Sequence, residues 1–66
     1  MVIKAKILID DDRWAKRPYG VEFDDAECNA RFGTNGVTSE EYCYQRIERA
    51  KEAGFDIDPD IERFFY

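Results

Sequence analysis

The chain has 66 residues, with 10 Lys and Arg against 15 Asp and Glu and no histidine, for a net charge of −5 at neutral pH. A chain this short buries only about 60% of its unfolded surface on folding, so a core and a deep substrate cleft compete for the same few residues. The acidic balance disfavours nonspecific association with DNA, RNA or anionic membranes. The missing histidine removes the usual zinc ligand sets and every Ser/His or Cys/His nucleophile pair. Neither catalysis nor a cofactor is expected. Apolar residues at 44% still suffice for a packed core against 38% charged residues, and one domain over residues 1–66 is the expectation.

Along the chain, Ile3, Ala5, Ile7 and Ile9 alternate with Lys4, Lys6 and Leu8, which predicts a half-buried strand over residues 2–9. Met1 leads into this run without the basic and apolar blocks of a secretory leader, and no stretch approaches the roughly 20 apolar residues of a membrane span. A cytoplasmic chain without a membrane partner is expected. Residues 10–18 read as a loop, and Tyr19, Val21 and Phe23 alternate again as a second strand. Asp24 and Asp25 are placed to cap a short helix over 26–32 that Gly33 would end.

Residues 33–36, Gly-Thr-Asn-Gly, have the composition of a turn. After them Thr38 and Glu41 have the spacing of a capping box, with Val37 and Tyr42 as its hydrophobic staple. A helix is predicted from Ser39 to Ala53, with Gly54 as a left-handed cap and Phe55 folding back on the last turn. Cys43, Ile47 and Ala50 form its apolar stripe, while Gln45, Arg46, Glu48, Arg49, Lys51 and Glu52 read as a solvated face. The tail is ambiguous: Asp58-Pro59-Asp60 would start a helix well, but Ile61 to Tyr66 is rich in strand formers, and a third strand is preferred. The expected fold is α+β: a small two- or three-stranded antiparallel sheet packed against one amphipathic helix, with the extra short helix over 26–32 optional.

Two segments attract attention as sites. Asp10, Asp11 and Asp12 are followed by Arg13, Trp14, Lys16, Arg17 and Tyr19, three positive charges and two aromatic rings in an acidic chain. Such an island either folds Trp14 and Tyr19 over the sheet edge while its cations pair with the three aspartates, or forms a contact surface, since Trp, Tyr and Arg dominate binding hot spots. It could also hold a nucleotide or other anion between copies of the chain in a homo-oligomer, with guanidinium forks on phosphate and rings stacked on a base.

The second segment is Asp56, Asp58, Asp60 and Glu62. Its D-x-D-x-D-x-E spacing resembles the start of a calcium loop, but Ile61 stands where glycine is needed and the twelfth position falls past residue 66, so no metal is expected. If extended, the four carboxylates would repeat every ~6.6 Å on one side, close to the spacing of phosphates along a nucleic-acid strand. Such a row could occupy a basic groove. Cys28 and Cys43 form no CxxC and are expected as buried free thiols.

The function expected from these residues is non-catalytic binding to a larger protein partner with a basic surface, with no direct DNA or RNA binding. In type, being very short, acidic, aromatic-rich and without catalytic groups, the chain is similar to inhibitors that phages and mobile elements make against host nucleic-acid enzymes. That resemblance implies a protein that blocks or adjusts such an enzyme.

Overall fold

The N-terminal alternation yields strand β1, Ala5–Ile9, with Ala5, Ile7 and Ile9 buried and Lys6 and Leu8 on the opposite, more open face. The computed structural model describes residues 2–65. Met1 and Tyr66, the latter the last residue of the expected tail strand, lie outside them. Strand β2, Tyr19–Phe23, pairs antiparallel with β1, setting Ile7 opposite Val21 and Ala5 opposite Phe23. Directly opposite residues share a face, so the register places the apolar side chains of both strands on one side.

Helix α1, Ala26–Phe32, begins as its capping residue dictates: the Asp25 carboxylate accepts the Cys28 N–H at 2.9 Å. It ends at Gly33, whose N–H donates to the Asn29 carbonyl at 2.9 Å. Asn29 also accepts the Phe23 N–H through its side-chain oxygen at 3.1 Å, tying helix to strand.

The sheet differs from the expected one. Among the described residues it has four strands, is mixed rather than antiparallel, and carries two helices. The supposed turn at residues 33–36 is strand β3, Thr34–Val37, which pairs antiparallel with β2 across an irregularity at Tyr19 and Gly20. Gly20 makes this pairing feasible, because a Cβ there would lie 2.9 Å from the Thr34 carbonyl oxygen. Turn composition misleads here because β3 is an edge strand, where Asn and Gly need not pack on both sides.

Helix α2, Glu40–Glu52, starts from Ser39 as N-cap, one residue after the Thr38 that the capping box required, and the Ser39 side chain makes no capping bond. Glu40 and Glu41 in the first turn complement the helix dipole instead. Its other end follows the sequence closely. Gly54 has φ +101°, its N–H donates to Lys51 O at 3.0 Å, and the Phe55 N–H donates to Ala50 O at 3.1 Å, the paired bonds of a Schellman motif. Phe55 then meets Phe32 of α1 edge to face, with ring centroids 5.9 Å apart.

The tail re-enters beside β1. Ile57 bridges Ile3 in parallel, with Ile3 N–H on Asp56 O and Asp58 N–H on Ile3 O, both at 2.8 Å. Strand β4, Glu62–Phe65, continues this parallel pairing, giving the order β3-β2-β1-β4. A parallel neighbour requires a crossover, and α2 supplies it. Both helices pack against β2, and Cys28, Cys43, Ile47, Ala50 and Ile57 complete the core with the inward residues of β1 and β2. Each large side chain buried there contributes about 2 kcal/mol. Among the described residues, no helix is long and apolar enough to cross a membrane.

Candidate functional site

The loop between β1 and β2 is built by its own aspartates. The Asp10 N–H donates to Pro18 O at 2.7 Å and closes the loop base. The Asp10 carboxylate accepts the Asp12 N–H, and the Asp12 carboxylate accepts the Trp14 N–H, each at 3.0 Å, while Ala15 N–H donates to Asp12 O at 3.0 Å. These are the local side-chain-to-backbone bonds that Asp forms readily in turns. Two of the three aspartates therefore shape backbone. Among the described residues, none of the three forms an ion pair with Arg13, Lys16 or Arg17.

This arrangement leaves the island pointing outward. Trp14 is 78% exposed, with the Arg13 guanidinium 5.3 Å from its ring, and Arg13, Lys16 and Arg17 are exposed as well. Tyr19 separates from them: it lies in β2, half-buried, and packs against the core. The surface the loop presents is thus Arg13, Trp14, Lys16 and Arg17, on a backbone held by side-chain bonds.

The acidic tail is not gathered into one row. Asp56 lies exposed before the Ile57 bridge, and the Asp58 carboxylate turns back to accept the Asp60 N–H at 2.9 Å, bending the chain at Pro59. Only Glu62 belongs to a strand of more than one residue. With Lys4, Lys6, Glu22 and Asp24 it lines a shallow cleft of about 240 Å³. Among the described residues, no three potential metal-ligating side chains cluster.

Both cysteines are free and buried. Burial pushes the Cys28 thiol up from its ordinary pKa, with Asp25 adding to the effect, and burial together with Glu40 does the same for Cys43. Cys43 Sγ donates to the Gly20 carbonyl at 3.5 Å. Thiols held protonated in this way are poor nucleophiles.

One surface escaped the sequence reading. Tyr42, Arg46 and Arg49 line a recess of about 180 Å³ against Thr34 and Val37 of β3. A second recess, about 260 Å³, adjoins it and is lined by Arg17, Gly36, Val37 and Tyr42. The signal was present: residues 42, 46 and 49 repeat the i, i+4, i+7 spacing of the buried stripe at 43, 47 and 50, one position earlier, and so form a second continuous ridge along α2. Compared with known proteins, the chain matches no family model, no curated protein and no solved structure.

Proposed function

We propose that the chain is a non-catalytic docking protein that binds a larger protein and blocks or modulates it, with Arg13, Trp14, Lys16 and Arg17 as the contact. The observation that carries this reading is a tryptophan 78% exposed on a loop whose backbone is already pinned by the Asp10 and Asp12 carboxylates. An aromatic anchor on ordered backbone loses little conformational entropy on binding, and Trp and Arg are the residue types that dominate hot spots. The partner presents carboxylates opposite the three cations. The basic surface expected on that partner would face the acidic remainder of this chain, whose net charge is −5, and not a continuous tail row, which is interrupted at Asp58 and Pro59. The acidic remainder of the surface repels nucleic acid and favours a protein partner. Two thiols without a disulfide fit a reducing compartment such as the cytoplasm.

The test is quantitative capture from the source cell with wild type, Trp14→Ala and Arg17→Ala as baits. A partner retained by wild type and depleted at least tenfold by each variant, about 1.4 kcal/mol, is the expected result. Since Trp14 is the chain's one tryptophan, its emission should shift to the blue on addition of that partner. Equal capture by all three baits overturns the assignment.

A further inference from the structure

We infer that the two adjoining recesses between β3, α2 and the basic loop form a binding site for a free mononucleotide, whose phosphate the arginines hold and whose base lies on Tyr42. This site goes beyond the docking reading and shares only Arg17 with it; its ring and its other two cations come from α2, so Arg49→Ala and Tyr42→Ala test it separately from the docking contact.

Charge is the first ground. Acidic side chains outnumber basic ones by 15 to 10 in the chain, and two other clefts reflect this: Glu22, Asp24 and Glu62 line one with Lys4 and Lys6, and Glu41, Glu48 and Glu52 line another, whose wall Arg49 shares. The two recesses around Tyr42 have Arg17, Arg46 and Arg49 in their walls and no carboxylate. Guanidinium groups match phosphate oxygens in pairs, and Arg46 and Arg49 share the wall of one recess while Arg17 lines the other.

The cations are also positioned. Arg46 donates its Nε to the Phe32 carbonyl at 3.0 Å, which fixes the plane of the guanidinium and leaves its terminal nitrogens for another acceptor. The stem of Arg17 runs past Gly36, where a Cβ would stand 3.8 Å from its own Cβ, so the loop arginine lies along the edge of β3 toward Tyr42. Neither Arg17 nor Arg49 has an ion-pair partner among the described residues.

The ring is the third ground. Tyr42 is 53% exposed and, with Val37, lines both recesses. Trp14, Phe32, Phe55, Phe64 and Phe65 each carry an intrachain cation over the ring, and among the described residues Tyr42 carries none. An open aromatic face beside guanidiniums is the pairing that binds a base next to its phosphate. The recesses hold about 180 and 260 Å³ and share Val37 and Tyr42, so the site is a pair of shallow surface depressions rather than an enclosed pocket.

The test is calorimetric titration of the full chain at low ionic strength with adenosine 5′-monophosphate, and separately with adenosine, inorganic phosphate and a single-stranded decanucleotide. Saturable binding of the mononucleotide, tighter than that of adenosine or phosphate alone, is expected. Arg17→Ala and Arg49→Ala should each weaken it about tenfold, as loss of a charge-assisted bond implies. Tyr42→Ala should abolish the advantage over inorganic phosphate and Tyr42→Phe should keep it. The altered side chains are exposed, so melting curves should match wild type. The site is overturned by absence of saturation at about 1 mM mononucleotide, by arginine variants that bind as wild type does, or by inorganic phosphate binding equally well. A decanucleotide that binds more tightly than the mononucleotide overturns the free nucleotide as occupant. None of these outcomes touches the capture experiment with Trp14→Ala.

Discussion

The carboxylate of Asp12 accepts the backbone N–H of Trp14 at 3.0 Å, so the residue that presents the most exposed ring of the loop is fixed by the acid two positions before it. Asp12→Ala removes that acceptor and frees the loop tip, while Asp12→Asn keeps a side-chain oxygen in place. Partner affinity should fall several-fold in the alanine variant and stay near wild type in the asparagine one, followed by Trp14 emission on titration. Because the bond is exposed, global stability should change by no more than about 0.5 kcal/mol in either. Equal affinities for wild type and Asp12→Ala would remove preorganisation from the account of the loop.

Helix α2 is held by Cys43, Ile47 and Ala50, all buried, and its outer face contributes little to that. Ile47→Asp loses about 2 kcal/mol of apolar burial and adds an unpaired carboxylate to the core. A single core of this size supplies only about 3–5 kcal/mol, so the variant should be unfolded. Arg49→Ala should melt with wild type. A cooperative transition for Ile47→Asp near the wild-type temperature would show that the stripe does not anchor the sheet.

What could be read from the sequence follows the range of the interactions. Strands β1 and β2 and helix α1 emerge from alternation and from Asp25, and the end of α2 from Gly54 and Phe55, because those signals act within a few residues. Strand β3 was hidden: Thr34, Asn35 and Gly36 favour turns locally, and only the partner strand, with glycine at position 20, makes them a strand. The parallel placement of β4 depends on where α2 delivers the chain after Gly54, which no local pattern encodes. The site divides the same way. The basic and aromatic content of Arg13 to Tyr19 was visible, but whether Trp14 covers the sheet or faces solvent depends on Asp10 and Asp12 bonding backbone rather than arginine. The arginines of α2 read as a solvated face, and Arg49 is exposed as that reading requires; only Arg46 departs from it, half-buried with its Nε on the Phe32 carbonyl, a contact across 14 residues that no local pattern encodes.

Gly20 gives a direct check on the β2–β3 pairing. Alanine there would place Cβ 2.9 Å from the Thr34 carbonyl oxygen, a backbone atom that cannot move without breaking the edge pairing. Gly20→Ala should cost about 1–3 kcal/mol by denaturant titration. Gly54→Ala, with open space around it but φ +101°, should cost about 1 kcal/mol through backbone strain alone. A Gly20→Ala protein as stable as wild type would argue that β3 is not paired as described.

The thiols set a pH dependence whose sign is fixed. Burial raises the folded-state pKa of Cys28 and Cys43, so both stay protonated in the fold at a pH where the unfolded chain already ionises. Their contribution is complete below the ordinary thiol pKa of about 8.5 and is lost progressively as pH rises from there through the raised folded values. Melting temperature should therefore fall between about pH 8 and pH 10, and less steeply in a Cys28→Ala, Cys43→Ala double variant compared with itself at pH 7. Native alkylation at neutral pH should be slow, with both cysteines modified after denaturation without reduction.

Charge decides between the loop and the tail as the docking surface. In a triple variant with Asp56, Asp58 and Asp60 changed to Asn, the side-chain oxygen at position 58 can still accept the Asp60-position N–H, so the turn and the Ile57 bridge should persist. If the loop carries docking, the triple variant should bind as tightly as wild type at low salt, or more tightly, because the partner's carboxylates no longer meet three like charges. Affinity of the wild type should still fall with salt through Arg13, Lys16 and Arg17, and Trp14→Ala should cost more than about 1 kcal/mol at every salt concentration, since its contribution is apolar. If the acidic tail were the contact, the triple variant would lose both affinity and salt dependence while Trp14→Ala bound normally. Binding measured at two salt concentrations for these three proteins separates the outcomes, and loss of affinity confined to the tail variant would move the docking surface from the loop to residues 56–62.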